Sequence, residues 1–219
     1  MKMLAYHNDP AVKELYLERV KAHREADEIT QGQYWIKGKG CAVGCTIHSA
    51  KHVDYENLMG IPEELAFLED AIFEALPNEL AMAWPERFLE AIQVGADLSK
   101  VWPKFGLWLI DGIQFMDEDL LVKSHLNDVT ELYRKWAIGD KPNNEAWEAL
   151  IEVRGIHGAT VNLVEVLTYA GIAPCASAEA CSVAYYCLYT HLGACSDPEH
   201  EVQAAIEQSE KLLQLLAEA

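Results

Sequence analysis

Pro62-Glu63-Glu64-Leu65-Ala66-Phe67-Leu68-Glu69-Asp70-Ala71-Ile72-Phe73-Glu74-Ala75-Leu76 decides the fold class. Leu65, Leu68, Ile72, Phe73 and Leu76 recur with the period of one helix face. Pro62 presets the backbone angle of a first helical turn, and Pro77 stops the helix near Leu76. No stretch of the chain alternates apolar and polar residues long enough to predict a sheet strand.

Working outward, the same pattern fills the chain. Asp9-Pro10 predicts a capped helix start, with the helix running to about Ile29. Gly32 to Gly44 is punctuated by glycine, and a further helix is expected over Cys41–His52. Trp84-Pro85 and Trp102-Pro103 each look like a helix opening, the second capped by Asp97 and Ser99. Helices are then expected over residues 117–137, 145–153, 159–170 and 178–192, with a last one after Ser196-Asp197-Pro198. Proline, glycine and asparagine in 139–144 mark the best internal boundary. The reading is an all-α bundle of about ten helices, one compact body with an N-terminal half over 1–138 and a C-terminal half over 145–219 packed on it.

Composition bounds the function. The 219 residues carry 17 basic and 35 acidic groups, a net charge of −18. The charge is uneven: residues 1–40 sum to +1, residues 60–100 to −7, and residues 111–133 to −5. A basic footprint for nucleic acid is missing, so direct nucleic-acid binding and anionic membrane surfaces are disfavoured. Acidic charge instead suits solubility and a basic protein partner. No apolar run is long enough to span a membrane, and Met1–Pro10 lacks the apolar region of a secretory signal. The six cysteines, Cys41, Cys45, Cys175, Cys181, Cys187 and Cys195, are therefore read as reduced thiols in a cytoplasmic protein.

Several polar groups fall on apolar faces. On the first helix, Val12, Leu15, Tyr16, Val20 and Ala26 define the core side, yet Arg19, His23 and Asp27 project among them as an i, i+4, i+8 ladder. Glu69 projects between Leu65, Ile72 and Phe73. Buried ionisable groups need partners, so Arg19, His23 or a metal is expected against these carboxylates. Cys41, Cys45, His48 and His52 share one face of the expected helix. Eleven residues at ~1.5 Å each separate the first from the last, too far for one ion, so adjacent pairs would bind with help from elsewhere. The candidate metal ligands are Cys41, Cys45, His48 and Glu69, for a divalent metal such as zinc. Small buried thiols filling tight packing is the bland alternative.

A thiol site is the other chemical reading. Cys41 at a helix N-terminus would have a lowered pKa, with His23 and Asp27 as base and orienting group. The Gly-x-Cys-x-x-x-Cys segment superficially resembles the nucleophile segment of papain-type peptidases, whose β-rich half has no counterpart here. A glycine phosphate loop lacks the strand that should precede it. Cys181 shares a face with Tyr185, Leu188 and Leu192 and reads as structural.

Two longer strings carry a resemblance. His23-Arg-Glu-Ala-Asp27, followed by Gly38-Lys-Gly-Cys-Ala-Val-Gly-Cys-Thr-Ile-His48 and Gly60-Ile-Pro through Leu76-Pro77, is similar to an uncharacterised group of bacterial and prophage-encoded helical proteins. The similarity covers roughly residues 12–110. It brings no activity with it and implies a bacterial or phage setting, hence an intracellular protein. Two functions remain to be weighed. The first is a buried His/Asp/Glu/Cys cluster serving a metal or thiol site, with enzymatic activity left open. The second is a non-enzymatic protein whose acidic faces hold a basic, nucleic-acid-binding partner.

Overall fold

The computed structural model describes residues 2–113, 120–151 and 198–219. Among them nine α-helices supply nearly all the regular structure: α1 Pro10–Glu25, α2 Ala42–Ile47, α3 Asp54–Met59, α4 Glu63–Ala75, α5 Asn78–Ala91, α6 Val101–Ile113, α7 Leu120–Ala137, α8 Asn144–Ile151 and α9 Pro198–Ala217. Two strands of two residues each, β1 Trp35–Ile36 and β2 Lys39–Gly40, pair antiparallel. The chain is all-α, as its periodicity predicts. The helices expected over 159–170 and 178–192 lie outside the described residues, as do Cys175, Cys181, Cys187 and Cys195.

The chain forms two compact units, Met1–Ser99 with Ala205–Ala219, and Lys100–Ala204. The loop over 139–144 joins α7 and α8 within the second. In that unit α6 packs on α7 and α7 on α8. Pro103 sits in the first turn of α6, where its missing N–H costs nothing. A Cβ at Gly106 would lie 2.5 Å from the Tyr133 ring, so α6 and α7 approach closely there. No helix among the described residues is long and apolar enough to cross a membrane.

The first unit holds the site. Asp9 caps α1 by accepting from the Ala11 N–H at 2.9 Å, with Pro10 as the first helical residue. Tyr16 and Val20 are buried, but Leu15 is 52% exposed, so the buried stripe is narrower than the one read from sequence. α1 packs on α5 and α2, and α4 packs on α5, α2 and α3. Leu65, Leu68, Ile72 and Phe73 of α4 and Trp84, Phe88 and Leu89 of α5 are all buried with almost no exposure. The Lys13 ammonium donates to the Glu90 and Ile92 carbonyls and so satisfies the C-terminus of α5.

Several helix boundaries differ from expectation. Trp84-Pro85 does not open a helix: α5 begins at Asn78, and Pro85 lies inside it. One lost backbone hydrogen bond is offset by burying Trp84, Phe88 and Leu89 on one face. α1 stops at Glu25 rather than near Ile29, because Asp27 takes the left-handed conformation at φ 56° and turns the chain. That turn removes Asp27 from the expected ladder.

Candidate functional site

The site grows from the segment between α1 and α2. The Gly40 N–H donates to the Glu28 carbonyl, and the Thr30 N–H donates to the Gly40 carbonyl. The Gln31 amide donates to the Phe73 and Leu76 carbonyls at 2.7 and 2.9 Å, pinning the segment to the end of α4. Gly40 and Gly44 allow the tightest contact. A Cβ at either would lie 1.8 or 1.9 Å from the Tyr34 carbonyl oxygen. These glycines serve backbone packing rather than a phosphate loop. The approach fixes β1 over α2 and sets Trp35 above the residue that ends α2.

That residue is His48. The expected Cys41–His52 helix runs only over Ala42–Ile47, because His48 adopts the left-handed conformation at φ 55°. The Trp35 indole stacks on the His48 ring at 4.5 Å and 11°. His48 Nε2 faces His23 Nε2 at 2.7 Å. On the other side of the His23 ring, Nδ1 lies 2.6 Å from Glu28 Oε2. The result is a carboxylate–imidazole–imidazole row, half-buried at His23 and exposed at His48. An Nδ1–H donated to Glu28 leaves a lone pair on His23 Nε2, and two Nε2 lone pairs cannot face each other without a proton or cation between them. Desolvation, then the Arg19 and His23 charges, holds the His48 pKa below its ordinary value, against the pull of Glu28.

The other candidates are placed differently. Cys41 is buried at the start of α2, where burial and then the Asp70 carboxylate push its thiol pKa far up. A six-residue helix supplies too little dipole to reverse this, so the expected thiolate is not what the environment favours. Cys45 is buried and donates to the Gly40 carbonyl at 3.3 Å, and burial pushes its pKa up to about 12. Both are free thiols. Asp27 is exposed; its carbonyl accepts from Lys39 Nζ, and it does not orient His23. Arg19 donates to the Thr46 carbonyl and lies over the Tyr16 ring, so it is not the partner of Glu69.

Glu69 is fully buried, as its position predicts, but it belongs to another cluster. Its Oε2 accepts from the Tyr55 hydroxyl at 2.6 Å, and its backbone carbonyl from Trp84 Nε1 at 2.9 Å. Glu69 Oε1 is buried without a hydrogen-bond partner. Beside it, Asp70 meets His52 Nε2 at 3.3 Å, and His52 stacks on Phe67 at 4.0 Å. Burial raises the Glu69 pKa well above its ordinary value, with Asp70 adding and Tyr55 opposing.

Below the unfolded-state pKa both states carry the proton and burial of the acid costs little. As pH rises through the window between the unfolded and folded values, the unfolded state ionises first and stability falls. Glu69→Gln, which keeps an acceptor for Tyr55, is therefore expected to stabilise the protein by roughly 1–3 kcal/mol at pH 8. The gain should shrink as pH falls toward 4.5 in denaturant melts. A variant less stable than the parent at pH 8 would refute this account of Glu69.

Sequence reasoning missed Glu28 and Trp35. With the first helix extended to Ile29, Glu28 falls on the outer face; only the left-handed turn at Asp27 folds it back onto His23. Nothing local announces that turn beyond the tolerance of aspartate for such a conformation. Among the described residues no group of three or more His, Cys, Asp or Glu side chains converges as a metal site. The α5 carboxylates are partly engaged: Glu86 pairs with Arg24 at 2.6 Å and with Lys21 at 3.4 Å, and Glu90 pairs with Lys21 at 3.3 Å. Comparison of the chain with protein-family models, curated proteins and solved structures finds no match.

Proposed function

We propose that the chain binds a divalent transition-metal ion through His23 and His48. The observation that supports it is the pair of Nε2 atoms facing each other at 2.7 Å, with Glu28 on the far nitrogen of His23. A carboxylate behind an imidazole fixes its tautomer and raises its basicity, as in metal sites generally. Zinc bonds to imidazole at ~2.0–2.1 Å, so a tetrahedral ion needs the two nitrogens about 3.3 Å apart. The exposed His48 ring would have to turn against Trp35 to open that gap. Imidazole suits zinc, copper and nickel, whereas the protonated, buried thiols do not compete. The reading keeps His48 from the sequence-derived ligand set and replaces Cys41, Cys45 and Glu69 with His23. The basic-partner reading gains less support, since Lys21 and Arg24 already engage Glu86 and Glu90.

The test is a titration of tag-free protein with zinc and, for its visible spectrum, cobalt. Saturable binding is expected in the parent. His48→Asn, which retains a residue tolerant of the left-handed conformation, should abolish it. Glu28→Gln should weaken it roughly 10–100-fold. Binding that survives His48→Asn unchanged, or none in the parent, would sink the reading.

A further inference from the structure

We propose that the metal held by His23 and His48 bridges two copies of this chain, each giving the same two imidazoles about a two-fold axis. The inference rests on the metal reading above and extends it to the partner of the site.

Three observations point to a second copy. Zinc takes four ligands, and among the described residues only two imidazole nitrogens converge here. The pair lies at the protein surface, where His48 is exposed, so a donor from outside can reach the ion. The hairpin that carries Trp35 also leaves the next residue, Ile36, 56% exposed as an apolar rim, whereas Tyr34 turns its ring onto His52. A two-fold axis through the ion would cover both rims at once, because a closed dimer buries the same patch on each subunit.

Charge selects this face over others. Two chains of net charge −18 repel one another wherever acidic surfaces meet. The segment building the site belongs to residues 1–40, which sum to +1, and Arg19, Lys37 and Lys39 lie in it. Like-charge repulsion between copies is weaker there than over the acidic stretches. Residues 60–100, at −7, would oppose the same contact.

The experiment is sedimentation of the tag-free full chain with stepwise zinc, read together with bound-metal stoichiometry. The expected result is a mass that doubles as zinc reaches one ion per two chains and returns to the monomer value with chelator. His48→Asn should remain monomeric, and Ile36→Asp should shift the zinc dependence of dimer formation at least tenfold while leaving a monomer that still binds the ion. One zinc per chain in a monomer would overturn the proposal and leave the metal reading standing. A dimer that forms without zinc and survives His48→Asn would likewise overturn it. Absence of any zinc binding would remove the metal reading, and this inference with it.

Discussion

Trp84→Ala is expected to cost about 3–5 kcal/mol, the range for deleting a fully buried aromatic side chain. Trp84 is completely buried between α4 and α5, with Phe88 beside it at 6.1 Å. Its Nε1–H also satisfies the Glu69 carbonyl at 2.9 Å, which truncation would leave buried without that donor. Total stabilities run only to about 5–15 kcal/mol, so this single change should bring the first unit near its unfolding threshold. Trp84→Phe separates the two contributions, since it keeps much of the volume and removes the donor. A loss of about 1–3 kcal/mol is expected for it. Urea denaturation followed by circular dichroism measures both. A Trp84→Ala midpoint close to that of the parent would show that α5 does not pack on α4 as described.

Gly44→Ala is expected to cost about 3 kcal/mol and to disperse the imidazole pair. The added Cβ would stand 1.9 Å from the Tyr34 carbonyl oxygen and 2.8 Å from its carbon, a backbone group that no rotamer change can move. Overpacking of this kind costs about 1–3 kcal/mol, occasionally more. The same oxygen accepts from the Cys41 N–H at 2.9 Å, so displacing it also weakens the start of α2. The β1 segment must then shift, taking Trp35 from the His48 ring. Denaturation curves and zinc titration of one preparation read both consequences. Gly32→Ala is the control: it meets open space and carries only the cost of a positive φ, about 1 kcal/mol. Equal stability of the Gly44 and Gly32 variants would refute the close approach.

Much of the helical framework is legible along the chain. Asp9-Pro10 and Pro62 mark starts because a side-chain oxygen or a preset φ acts within one turn of backbone. Leu76-Pro77 marks an end for the same local reason, and the apolar period over 62–76 identifies the buried face of α4. Pro85 misleads because its local penalty is one hydrogen bond, while the burial of Trp84, Phe88 and Leu89 that outweighs it depends on α4 lying alongside.

The site divides along the same line. The unusual placement of His23 and Glu69 among apolar residues is visible in a helical projection, and both side chains are indeed largely removed from water. Their partners are not visible there. Glu28 reaches His23 only because Asp27 reverses the chain, and Tyr55, absent from the candidate set, takes the place expected for Arg19 or a metal on Glu69. Cys41 acquires its high pKa first from burial and then from Asp70, a residue on another helix.

Sequence by itself determined the all-α class, most helix openings and the inward placement of Glu69, though not that of Asp70 or the outward one of Asp27, because periodicity, caps and proline geometry act over a few residues. Only the tertiary structure decided that His48 faces His23, that Glu69 answers to Tyr55, and that residues 205–219 join the first hundred. Those choices depend on hydrogen-bond distances between elements far apart in the chain, and on two glycines whose missing side chains let one carbonyl oxygen approach.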